Sequence, residues 1–242
     1  MATTSDTSRP SKFNPALLVV DMQEDFCPPN GSLAVSNGRD VIPMINSLLA
    51  NPAFTTRIAT KDWHPTTHIS FASNHPAPNN VPFTSYTTIT NPYNPSETYK
   101  TRLWPDHCVQ GTKGAELVPE LDRSLVDDIV EKGTDDRVEM YSCFHDPFEK
   151  PTVSDSGLVE RLQKKDVTHV YVVGLAMDYC VKYSAIDAKK AGFEVYVVEE
   201  GTKAVDPSTW EEVRKELEGY GITMVGTGGS EMGWLDIKQG SE

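Results

Sequence analysis

Asp21, Lys132 and Cys180 are an acid, an ammonium and a thiol, each placed at or just after a short apolar run. A thiol needs a base to take its proton and a cation to favour its anion before it can act as a nucleophile, and these three residues offer both. Asp62, His64 and His107 add a carboxylate and two imidazoles. That donor set suits Zn²⁺, Fe²⁺ or Mn²⁺ and leaves coordination positions open. Asp62 and His64 lie two apart, so on an extended segment their side chains share a face. His68, four residues after His64, is a further ligand or a partner of one. Taken singly, each residue has a plainer reading: an Asp after a strand caps a turn, a Lys is solvated, a Cys packs. Their joint placement at the ends of different strands is what argues for a site. His75, His145 and His169 are read as structural, His169 as part of a strand approach.

Cys180 lies in the first turn of a helix expected to begin near Asp178. There the free backbone N–H groups and the helix dipole favour a thiolate, and a nearby Lys132 acts in the same direction. The same N–H groups, with one from the Gly174-Leu175-Ala176 turn, can hold a developing oxyanion. Cys27, Cys108 and Cys143 lack this setting, and no CxxC spacing points to a zinc finger.

The elements that must position these residues follow an α/β grammar. Short apolar runs recur at Ala16–Val20, Arg57–Thr60, Asp128–Val130, Val170–Val173, Val195–Val198 and Ile222–Val225. Such runs read as parallel strands buried on both faces. Helical patterns fall at Val41–Leu49, Gly157–Lys165, Asp178–Ala191 and Ser208–Gly219, the last with Ser208 and Glu211 at capping-box spacing. The expectation is a doubly wound, mostly parallel sheet with helices on both faces, a three-layer α/β sandwich. Ligands bind such sheets beyond the carboxyl ends of the strands, where all these residues would gather. One domain over residues 13–242 is the economical reading, after a polar, disordered tail at 1–12. Residues 72–99, crowded with Pro, Asn, Ser and Thr, show no period. They read as an irregular insertion, either a wall of the site or a tolerated surface loop.

Composition narrows the classes. The 242 residues are 38% hydrophobic and 24% charged, with a formal net charge of -13. An acidic surface repels nucleic acid and anionic membranes, so neither is an expected partner. There is no signal-peptide pattern and no apolar run long enough for a membrane span, so an intracellular, cytoplasmic protein is expected. No Gly-rich phosphate loop follows any strand, which argues against phosphoryl or hydride transfer. Self-association is left open.

The segments ALLVVDMQEDFCPPNGSL (16–33), TKDWHPTTHISFASNH (60–75), LWPDHCVQGT (103–112), VEKG (130–133) and VVGLAMDYCV (172–181) resemble the nicotinamidases of the isochorismatase-like hydrolase family. The DWHP and WPDHCVQGT blocks are those of its metal-containing branch, and only the tail and the insertion fall outside the resemblance. The stretch between Asp62 and His107 is similar to that of eukaryotic forms. The resemblance implies hydrolysis of nicotinamide to nicotinate and ammonia through a cysteine thioester, feeding NAD salvage. It implies a triad of Asp21, Lys132 and Cys180, metal ligands Asp62, His64 and His107 with Zn²⁺ as first choice, and an oxyanion hole at Ala176 and Cys180 preceded by a cis Leu175–Ala176 peptide. Phe26 and Trp104 would hold the pyridine ring, with Tyr141 adding to that wall.

Overall fold

The computed structural model describes residues 8–236. The tail expected at 1–12 lies outside the described residues for 1–7, and at 8–12 the chain runs in bends, with the Arg9 guanidinium 4.8 Å over the Phe13 ring. Eight strands follow in chain order: β1 Pro15–Val20, β2 Thr56–Asp62, β3 Tyr86–Asn91, β4 Asn94–Arg102, β5 Asp128–Lys132, β6 His169–Leu175, β7 Glu194–Lys203 and β8 Thr223–Val225. Six of them form one sheet in the order β5-β2-β1-β6-β7-β8, every neighbouring pair parallel.

The period-2 geometry of β1 explains why its run is apolar throughout. Leu17 and Val19 pack with Ile45, Leu48 and Leu49 of helix α1 (Ile42–Leu49) on one face. Ala16, Leu18 and Val20 pack on the other face against α2 (Leu158–Gln163), α3 (Lys182–Lys190) and α4 (Trp210–Gly219). Helices thus cover both faces, as the sequence grammar requires. Among the described residues no helix is long and apolar enough to cross a membrane.

Chain order reverses at the centre of this sheet. From β1 the chain moves outward through β2 to β5, then returns to lay β6 against the other side of β1. The crevice beyond the carboxyl ends of β1 and β6 is therefore the topological switch point. Asp21 follows β1 there, and Ala176 follows β6.

Three local expectations are corrected. The helix expected over Asp178–Ala191 opens with a wide π turn at Met177–Val181 before α3 begins. The cap expected from Ser208 with Glu211 belongs instead to Asp206, whose carboxylate accepts the Ser208 N–H at 3.0 Å and its hydroxyl at 2.6 Å. The irregular insertion holds an antiparallel hairpin, β3 paired with β4. Its Pro and Asn residues hide a β-branched and aromatic pattern in which Ile89 faces Tyr99 and Thr87 faces Thr101. Ile89 is fully buried with Val138 and Phe148 in a small core of its own.

Candidate active site

Parallel register brings the first two charged groups together. Asp62 ends β2, Lys132 ends β5, and the two are Cα partners. The Lys132 ammonium bonds to Asp62 Oδ1 and stands 3.0 Å from Asp21 Oδ2 and 3.6 Å from Cys180 Sγ. The Met140 carbonyl accepts a further bond from it at 3.2 Å. Asp21 itself leaves β1 with φ at 47° and is fully buried, its Oδ1 accepting from the Thr60 hydroxyl at 2.5 Å. Its Oδ2 has an ion-pair neighbour but no aligned donor, so a lone pair is open. Ligand atoms of Asp21, Asp62 and Cys180 lie within 4.8 Å of one another.

Burial and charge compete in this cluster. Burial pushes the Asp21 carboxyl above its ordinary range, against the pull of Lys132. Asp62 is equally buried, but the Lys132 ammonium bonded to it holds it well below the usual carboxylate range. Burial works against the Lys132 ammonium, yet Asp21 and Asp62 keep it firmly protonated. Burial also pushes the Cys180 thiol well above its usual value, and Lys132 only partly opposes this. The sequence suggests a depressed thiol here. The enclosure of Sγ, which arises only from the packed fold, reverses the direction.

Cys180 sits on the π turn, where Val181 N–H reaches back five residues to Ala176 O at 3.0 Å. Such turns recur at functional sites because they displace one side chain from helical register. Asp178, two residues earlier in the same turn, anchors it by accepting the Val205 and Asp206 N–H groups, both at 2.9 Å. The Leu175–Ala176 peptide is cis. The Ala176 N–H has no acceptor among the described residues.

Asp62, His64 and His107 offer ligand atoms within 4.8 Å of one another, all from buried residues. Their chemistry fits a divalent ion. His64 Nδ1 meets the Gly133 carbonyl and His107 Nδ1 the Pro105 carbonyl, each at 2.8 Å. Each Nδ1 therefore carries the proton, and each Nε2 turns a lone pair toward Asp62 Oδ2, at 3.6 and 3.9 Å. His64 Nε2 is buried with no hydrogen-bond partner. Burial, and then the neighbouring His64, lower His107 to about 4, which keeps its ring neutral. Gly133 has φ at 64°, and a Cβ there would meet His64 Cε1 at 2.4 Å, so only glycine allows this approach. His68 does not join the triplet: its ring lies tilted against His64 at 3.9 Å, bonds Ser70 Oγ at 2.8 Å, and groups instead with His64 and Glu139.

A cavity joins the two clusters, walled by Phe26, Trp104, Tyr141 and Tyr179 above Asp62, His107, Ala176 and Cys180. The space between these walls is small, about 30 Å³. Trp104 packs edge-on to Tyr179 at 4.9 Å, and Phe26 lies 5.5 Å from the His107 ring. A larger cavity of about 300 Å³ lies behind Tyr141, but none of the triad or metal-type residues lines it. The charged chemistry therefore belongs to the smaller one.

Sequence reasoning missed three residues of this site. The Gln23 amide bonds the Asp62 backbone from both sides, at 2.8 Å each way, and so fixes that carboxylate's base. Thr60 serves Asp21, and Glu139 lines the cavity with its carboxyl raised by burial. Gln23 and Thr60 each lie two residues from a singled-out acid, which is the signal available without coordinates.

The chain matches the isochorismatase domain over residues 15–228. It is 43% identical over 193 residues to the nicotinamidase of Acinetobacter baylyi, covering 80% of this chain and 83% of that one. The yeast nicotinamidase bound to the inhibitor nicotinaldehyde is similar with a TM-score of 0.81 at 36% identity, covering 88% of this chain and 99% of that one. The pyrazinamidase of Pyrococcus horikoshii in complex with zinc is similar with a TM-score of 0.66 at 35% identity, covering 88% and 99%. A match spanning the sheet from β1 to beyond β8, together with these relatives, shows that the chain belongs to the isochorismatase domain family.

Proposed function

We propose that this protein hydrolyses nicotinamide to nicotinate and ammonia, with Cys180 as nucleophile. The observation that carries the reading is one ammonium, Lys132, within 3.0 Å of Asp21 and 3.6 Å of Cys180, beside an aromatic-walled cavity. The nicotinamidase relatives support the substrate, and nicotinaldehyde in the yeast protein supports a ring of that size.

The raised thiol and the raised acid support a first step in which the acid serves as base. Asp21, through its open Oδ2, takes the proton of Cys180 as Sγ adds to the carboxamide carbon. Lys132 stabilises the anionic sulfur and keeps Asp21 in place. The N–H groups of Ala176 and Cys180 hold the oxyanion. Asp21 then gives its proton to the departing nitrogen, which leaves as ammonia and a thioester remains. A water that loses its proton to Asp21 attacks the thioester, releasing nicotinate as Sγ recovers the proton.

Phe26 and Trp104 sandwich the ring, and Tyr141 adds to the wall. Asp62, His64 and His107 would hold a divalent ion, zinc by the example of the P. horikoshii relative. When bound, that ion supplies Lewis acidity toward the ring nitrogen and fixes the ring for attack.

The test is ammonia release from nicotinamide by the purified protein, run beside Cys180→Ala. Release that disappears in the variant supports reaction, substrate and nucleophile together. Substantial release by the variant would overturn the nucleophile assignment, and no release by the unaltered protein would overturn the substrate.

A further inference from the structure

We propose that Thr101, on the hairpin strand β4, is a positioning residue that orients the Trp104 ring through the hydroxyl of Tyr141. The inference rests on the reading of Trp104 as a wall of the substrate pocket, and it gives the hairpin within and just beyond the 72–99 insertion a role.

Trp104 Nε1–H donates to Tyr141 Oη at 2.9 Å, and Tyr141 Oη lies 2.9 Å from Thr101 Oγ1. A phenol that receives the indole proton turns its own proton elsewhere, and Thr101 Oγ1 is the acceptor in reach. The chain of donation therefore runs from Trp104 to Tyr141 to Thr101, and its direction sets the phenol's rotation.

Tyr141 packs against both cores and lies 5.2 Å from the Tyr179 ring, but that packing is incomplete on one side. Behind it lies the 300 Å³ cavity, lined also by Thr101 and Tyr183. Tyr183 stacks on Tyr141 at 5.5 Å and 17°, but is itself 39% exposed. With space left beside the ring, the hydroxyl contacts add the fixed points that set where the phenol oxygen sits.

Thr101, by contrast, is only 4% exposed and is held in the ladder opposite Thr87. Two residues earlier on the same face of β4, Tyr99 Oη accepts the Glu139 N–H at 2.8 Å and donates to the Glu139 carbonyl at 2.9 Å. Strand β4 thus grips segment 139–141 at two points. Trp104 follows the same strand, its N–H bound to Ser70 O at 2.9 Å and its carbonyl to Ala72 N–H at 2.8 Å. The hairpin acts as a jig that sets the two aromatic walls against each other.

The experiment compares Thr101→Val, which keeps shape but removes the acceptor, with Thr101→Ser, which keeps the acceptor. Loss of one neutral hydrogen bond that positions substrate raises KM for nicotinamide about five- to tenfold and leaves kcat within about twofold. Thr101→Ser stays within about twofold of the unaltered protein in both. In parallel, the ¹⁵N-labelled indole N–H resonance of Trp104, assigned by its loss in Trp104→Phe, shifts and exchanges faster in Thr101→Val and returns in Thr101→Ser. An unmoved KM and indole resonance in Thr101→Val would overturn the inference, as would equal damage in both variants. If the unaltered protein releases no ammonia from nicotinamide, the proposed function fails separately, and the indole resonance alone decides the relay.

Discussion

At Cys180 two effects of opposite sign meet. Full burial raises a thiol by up to about 3–5 pH units, and one ammonium nearby lowers it by about 1–3. The cysteine is 6% exposed and Lys132 stands 3.6 Å away while also serving two carboxylates, so burial wins. The resting residue is a thiol, which is why an acid with a raised pKa is needed to take its proton during attack. The sign is testable without substrate. Because the thiolate is scarce below a raised pKa and grows with pH, alkylation of Cys180 by iodoacetamide is expected to accelerate about tenfold per pH unit from pH 6 to 8.5. Mass spectrometry of the modified peptide, with Cys180→Ala as control, reads the rate. A plateau below pH 7 would mean that Lys132 outweighs burial.

Elements bring these residues within reach, and their close approach depends on backbone that few side chains permit. Gly174, the partner of Val20 in the β1–β6 ladder, has φ at 113°, and a Cβ there would lie 2.0 Å from Val20 O. Since that neighbour is backbone, it cannot swing away. Gly174→Ala is therefore expected to destabilise the protein by at least about 2 kcal/mol, or to prevent folding, by separating Asp21 from the Ala176 turn. Urea unfolding measures the loss, and a variant within about 0.5 kcal/mol of the parent contradicts the account. The hairpin shows how an element hides. Its Thr, Tyr and Ile positions have strand character, but Pro92 and the surrounding Asn and Ser residues mask the alternation in a window of sequence. What stabilises it is Ile89 meeting Val138 and Phe148, residues about fifty or more positions away.

Across the whole molecule, the Asp62, His64 and His107 cluster ties the end of β2 to the 104–109 segment, beside the Gly133 carbonyl beyond β5. An ion held there binds the folded state and not the separated ligands of the unfolded chain. At free zinc one hundred times its dissociation constant, the expected gain is about 2.7 kcal/mol. For a chain of this size that corresponds to a Tm rise of roughly 5–10 °C. Thermal unfolding of chelated protein, with and without added zinc, tests this, with Asp62→Asn expected to abolish the rise. A zinc-dependent rise that persists undiminished in Asp62→Asn would place the ion elsewhere.

Much of this was determined by the sequence alone. Apolar runs bounded by polar residues locate all six strands of the main sheet, because a strand buried on both faces admits little else. The chemistry-bearing residues Asp21, Lys132, Asp62, His64 and Cys180 stand beside those runs, so fold and site were legible together. The tertiary structure decided what depends on enclosure and on distant partners. The direction of the Cys180 shift follows from burial, which has no local signature. The exclusion of His68 from the triplet follows from its tilted ring contact with His64 and its bond to Ser70. Gln23 with Asp62, Thr60 with Asp21, and Thr101 with Tyr141 are each about forty residues apart. Hydrogen bonds of a few ångströms' reach join such pairs only after the sheet and hairpin have folded, and no period in the sequence records them.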